Sequence, residues 1–110
     1  MSGGVQQYPA VSRTLAAGVA TEVDIAINGA QNWTLVVRNT GATNAVTALT
    51  IAVSPLGTLF EAAASITTGI PLAASTSLAA IVGSNEPCLT ARLTLTSTSG
   101  TTVSIEGVGR

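Results

Sequence analysis

The chain has 110 residues, enough for one domain that buries about two-thirds of the surface its unfolded form would expose. Charged residues make up 8% of it, against roughly a quarter in an ordinary soluble domain, and the net charge is −1. There is no histidine and no lysine, so the commonest general base, the commonest zinc ligand, Schiff-base chemistry and a P-loop lysine are all missing. The cations are Arg13, Arg38, Arg92 and Arg110, too few and too scattered to form a basic patch for nucleic acid.

Mean hydropathy is positive, so the surface is expected to consist largely of Ala, Thr, Ser, Gly and Asn. Few ionic groups lose hydration when a partner covers such a surface, which favours a protein built to be covered. A solitary monomer kept soluble by its hydroxyls is the competing reading. Thr, Ser, Gly or a charge interrupts every apolar run before membrane-spanning length. The polar leader behind Met1 does not read as a secretory signal. Cys88 is the only cysteine and is expected to be a small buried hydrophobe, since a catalytic thiol would want a histidine.

Residues 1–18, with Gly3, Gly4 and Pro9, show no sustained period and read as an extended arm ahead of a domain over 19–110. In that arm Val5, Tyr8, Val11 and Leu15 are candidate contacts to a neighbouring subunit, the alternative being a frayed end. Residues 19–27 alternate strictly: Val19, Thr21, Val23, Ile25 and Ile27 take one face, Ala20, Glu22, Asp24 and Ala26 the other, as in a half-buried strand. Asn28-Gly29 is a turn, because both residues tolerate positive φ, and a second strand over 33–38 puts Trp33, Leu35 and Val37 on one face. Asn39-Thr40-Gly41 ends it.

A third strand is expected over 46–53, with Leu49, Ile51 and Val53 together, before the Ser54-Pro55-Leu56-Gly57 turn. Residues 58–66 suit either two turns of Ala-rich helix or a strand and loop, and the latter is preferred. Residues 72–82 alternate imperfectly, and 83–87 read as a loop. In 89–96, Leu89, Ala91, Leu93 and Leu95 alternate with Thr90, Arg92, Thr94 and Thr96. A tight connection through Gly100 leads to a last strand at Val103 and Ile105, after which residues 107–110 trail off.

Seven or so short strands between turn signals, with no βαβ alternation, predict an all-β fold: a single antiparallel β-sandwich, Ig-like or jelly roll, with an extended N-terminal arm. The acids are Glu22, Asp24, Glu61, Glu86 and Glu106. Glu22 and Asp24 share one strand face and suggest a calcium site or a carboxylate dyad, but a calcium ion takes six to eight oxygens, so two solvated charges on an outer face are the simpler expectation. Glu106 is a candidate partner for Arg92 across a sheet. Of the aromatics Tyr8, Trp33 and Phe60, Trp33 is expected in the core. No catalytic, cofactor or metal residues are assigned. With so few charges to protect its edges, a sheet here must be short and bulged at its margins or covered by other chains.

The segment LVVRNTGATNAVTALTIAV, residues 35–53, resembles Ig-like modules in which a strand ends in Asn-Thr-Gly and the next follows at once. ARLTLTSTSGTTVSIEGVGR, residues 91–110, resembles the last hairpin of small β-sandwich proteins in tailed bacteriophage virions. With the size, the arm and the low charge, the chain is similar to capsid decoration or cement proteins. The resemblance implies a homo-oligomer, dimer or trimer, on the outside of a virion after synthesis in the host cytoplasm, with a major capsid protein as partner and arms that hold neighbouring subunits. A competing reading is a tail-fibre or cell-surface module that recognises glycan or protein through its loops.

Overall fold

Alternating side chains commit most of the chain to extended backbone, and the computed structural model, which describes residues 5–83 and 88–110, contains eight strands. They are β1 (Gln6–Leu15), β2 (Thr21–Ala26), β3 (Trp33–Asn39), β4 (Ala48–Ser54), β5 (Ala64–Ser65), β6 (Ser77–Gly83), β7 (Thr90–Thr96) and β8 (Thr101–Gly109). The loop expected over 83–87, Gly83 apart, and Glu86 within it lie outside the described residues. Residues 58–66 are loop and the two-residue β5, with no helix.

Two four-stranded antiparallel sheets form, ordered β1-β8-β3-β6 and β2-β7-β4-β5. The pairs β1–β8, β2–β7, β3–β6 and β4–β5 describe one long antiparallel ribbon folded back at its middle. Two further pairings, β3–β8 and β4–β7, close the ribbon into a roll. Rolling a double ribbon over two sheets is the jelly-roll solution, and it decides between the two sandwich types expected from the sequence. Consecutive strands consequently lie in opposite sheets, except β4 and β5.

Three expectations change with that topology. Asn28 and Gly29 do take positive φ, 60° and 79°, but they carry the chain from β2 to β3 in the opposite sheet. The amides of Ile27 and Gly29 pin this corner by donating to the Leu89 and Cys88 carbonyls, each at 2.8 Å. The Gly100 connection likewise crosses sheets, so residues 91–110 are not a hairpin. And residues 6–15, read as an arm, form β1, paired with β8 from Gln6–Gly109 to Leu15–Thr101. The expected division at residue 18 therefore falls between two strands of the sandwich.

The core fills the space between the sheets. Leu15, Trp33, Leu35, Val37, Val103 and Ile105 enter from one side, and Val23, Ile25, Leu49, Ala91, Leu93 and Leu95 from the other. All are buried, Trp33 as expected, and burial of this kind contributes about 25 cal/mol per Å² of apolar surface. Cys88 is a buried free thiol. The tail of β8 does not trail off: Gly107 and Gly109 lie in the sheet, and the Arg110 amide donates to the Asn32 carbonyl at 2.7 Å.

Ser54 closes β4 with a buried hydroxyl that has no hydrogen-bond partner among the described residues. A hydroxyl stripped of water without replacement is a net loss. Ser54→Ala is accordingly expected to leave stability unchanged or raise it by about 1 kcal/mol, measured by chemical denaturation.

Candidate interaction surface

A sandwich of two open sheets has four edges, and three are blunted by their own chain. β1 carries Pro9 and a register shift between Tyr8 and Val11, and its Arg13 sits opposite the core residue Val103, on the core-facing side of the pleat. Proline, a bulge and an inward-pointing charge are each devices that block strand addition. β5 has two residues. β6 shifts register between its pairings Leu35–Ile81 and Val37–Leu78, which puts an extra residue in β6. Only β2 is a regular edge, and Glu22 and Asp24 line its outward face.

Those acids do not converge on a metal. Register places Asp24 opposite Arg92 on β7, and Arg92 Nε donates to Asp24 Oδ1 at 2.8 Å while Nη2 reaches Oδ2 at 3.1 Å. Glu22 stands 3.9 Å away. The hydrogen bond to Asp24 is the main cause that raises the Arg92 pKa above its usual value, opposed by partial desolvation. The ring of Phe60 lies 4.0 Å from the guanidinium, a cation–π contact that caps it. The expected Glu106–Arg92 pair does not form, because β8 and β7 belong to different sheets. Among the described residues no three His, Cys, Asp or Glu side chains gather as a metal site.

The β4–β5 loop that brings Phe60 to Arg92 leaves an apolar tip. Leu56 is 78% exposed, Leu59 82% and Leu89 42%. Gly57 at the apex turns with φ 84° beside Leu89 and Thr90, which sets the loop against the start of β7. The Leu89 amide donates to the Ser54 carbonyl at 3.0 Å, tying the two segments. Leu59 and Leu56 are the most exposed large aliphatics among the described residues, which makes this tethered tip a candidate contact surface.

The four residues expected to touch a neighbour separate. Tyr8 and Leu15 belong to this chain's own core, and the Tyr8 hydroxyl donates to the Ile27 carbonyl at 2.9 Å. Burial, and secondarily Cys88, raise the pKa of that phenol. Val11 packs against the core edge, and Val5 is exposed. A cleft of about 200 Å³ opens beside them between β1 and β2, lined by Tyr8, Val11, Asp24 and Ile25 among others. Sequence reasoning missed Leu56 and Leu59. The available signal was the placing of large aliphatics beside Pro55 and Gly57, where turns usually carry polar residues.

No family model matches the chain, and no curated protein matches it. Among solved structures, a chitosan-binding module from the chitosanase/glucanase of Paenibacillus sp. IK-5 is similar over 87% of this chain and 74% of its own, with a TM-score of 0.54 and 14% identity. A chain from the triple jelly-roll turret assembly of an archaeal virus is similar over 99% of this chain, with a TM-score of 0.54 and 17% identity. A chain of infectious bursal disease virus, Gx strain, is similar over 96%, with a TM-score of 0.50 and 14% identity. The present chain spans 30% of each of those viral chains. At these identities the likeness is one of fold, and the fold it supports is the two-sheet, all-β jelly roll described above.

Proposed function

We propose that the protein is a non-enzymatic structural component of a virion, a capsid decoration or cement protein that works by protein–protein contact. The observation that carries the reading is the apolar tip of Leu56, Leu59 and Leu89 on a sandwich whose edges are mostly blunted. A decoration protein of this kind stabilises its partner by covering it, and an interface of standard size removes about 1,600 Å² from water. The similarity in fold to parts of chains from two viruses is in keeping with this.

The test begins with the neighbouring genes, where a major capsid protein is expected, and continues with cosedimentation of this chain with capsids assembled from that protein. Binding at a fixed stoichiometry is expected, with a loss of at least about tenfold in affinity for the double variant Leu56→Asp/Leu59→Asp, since each change puts a carboxylate where the contact would strip it of water. A chain that stays in the supernatant would sink the proposal, as would equal binding by wild type and double variant. A glycan-binding module is the alternative. Against it stands the burial of Trp33 and the engagement of Phe60 with Arg92, which leave no free aromatic platform on the described surface.

A further inference from the structure

The two outer sheet faces differ in how they treat their charges. On the β2-β7-β4-β5 face, Arg92 is satisfied internally by Asp24 and capped by Phe60. On the β1-β8-β3-β6 face, register sets Thr34 opposite Val108, Val36 opposite Glu106 and Arg38 opposite Ser104. These positions alternate with the core residues Leu35, Val37 and Ile105, so they face outward. All of them but Ser104, together with Gly107, line a shallow depression of about 340 Å³.

Arg38 and Glu106 are diagonal neighbours across this depression, about 7–8 Å apart in such a pairing. They do not form an ion pair with each other; Arg38 Nε turns instead to Ser77 Oγ on β6, at 3.3 Å. Among the described residues, Glu106 has no ion-pair partner. The face thus presents one unpaired charge of each sign on either side of an uncharged floor containing Val36 and the half-exposed Val108.

We propose that this face is a two-fold interface between two copies of the chain, in which Arg38 of each copy meets Glu106 of the other. A two-fold axis in the plane of the face, crossing the Arg38–Glu106 line at its midpoint and perpendicular to it, exchanges the two positions. One rotation makes both ion pairs and passes close to Val36, which then packs on its own counterpart, as an isologous contact requires. The remaining outward groups are mostly hydroxyls, which lose little on desolvation when they can pair across the contact.

The available area sets the strength. β8 has nine residues, and at about 3.4 Å each, with four strands about 4.8 Å apart, the face measures roughly 30 by 19 Å. Two such faces bury on the order of 1,100 Å², the low end of interface sizes, where weak and transient contacts lie. The dimer stands apart from the virion reading, because it requires no capsid.

Sedimentation velocity across about 5 to 500 µM protein tests it. The expected result is a monomer–dimer equilibrium that weakens as salt rises from about 50 to 500 mM. Glu106→Arg and Arg38→Glu should each weaken association by about tenfold or more, because each places like charges opposite one another twice. An equimolar mixture of the two variants should recover it, since all-basic and all-acidic faces then meet, and so should the double swap Arg38→Glu/Glu106→Arg. A monomer at every concentration overturns the proposal. So does a dimer indifferent to both single reversals, or a mixture that does not recover.

Discussion

Replacing Asn39 by leucine is expected to destabilise the domain by about 4 kcal/mol, read as a lower denaturant midpoint with an unchanged slope. The side chain is fully buried at the end of β3, and every hydrogen-bonding position on it is used. Nδ2 donates to the Asn44 carbonyl at 2.8 Å and the Leu72 carbonyl at 3.0 Å. Oδ1 accepts from the Gly41 amide at 3.1 Å and from Thr101 Oγ1 at 2.8 Å. Leucine keeps the branched outline but its methyls are bulkier than the amide groups they replace, so overpacking adds to the main loss, the stranded polar groups, at roughly 1–3 kcal/mol for each that water cannot reach. The total falls short of four such penalties because the Leu72 carbonyl keeps the Val46 amide at 3.0 Å. A loss below about 1 kcal/mol would mean that water reaches the vacated partners and that the site is not a dry clamp. The clamp matters to the fold because it joins β3, the loop after it, the chain before β6 and the start of β8.

Gly107→Ala is expected to cost about 3 kcal/mol or more, through steric overlap rather than backbone conformation. Gly107 sits in a central strand opposite Leu35. A Cβ there would run into the main-chain carbonyl of Thr34 and come within 2.9 Å of Leu35 Cδ2. A backbone carbonyl held in a sheet has no rotamer to change, so β8 must draw away from β3 and weaken their ladder. Thermal unfolding of the purified variant measures the effect. A melting temperature within a few degrees of wild type would show that the two strands separate at little expense. Gly109 is equally confined, between the Tyr8 hydroxyl and Ala30, and its missing side chain clears the lane in which Tyr8 reaches the Ile27 carbonyl.

Those glycines also explain why the end of β8 is hard to see in the sequence. Positions 107 and 109 continue the inward face of Val103 and Ile105, but without side chains they leave no hydrophobic mark. Residues 107–110 then resemble a loose end. In β1 the obstacle is the bulge: Tyr8 and Val11 are successive core-side residues three apart, so the period of two breaks and the strand reads as an arm. The extra residue in β6 has the same effect on 72–82. By contrast β2, β3 and β7 are regular and have one face in the core, and their inward residues are legible one by one.

The proposed contact surfaces were legible only in part. Low charge pointed to a covered protein, but the arm was the wrong place to look for Tyr8 and Leu15, which complete the core. Edge protection, offered in the sequence as a choice between blunting and coverage, is realised mainly as blunting. That shifts attention from strand edges to the Leu56–Leu59 tip and the Arg38–Glu106 face.

By itself the sequence determined the all-β class, the inward residues of the regular strands, the buried Trp33, and a side-chain inventory lacking histidine and lysine. Tertiary structure decided that β1 belongs to the sandwich, that the ribbon rolls into a jelly roll, and that Arg92 meets Asp24 rather than Glu106. The division has one physical cause. Alternation is imposed locally by the pleat and by water on one side of the sheet, so it is written into neighbouring residues. The pairing of Gln6 with Gly109, or the crossing of sheets at Asn28-Gly29, depends on register and packing between distant segments, and the same turn residues serve a hairpin and a crossover alike.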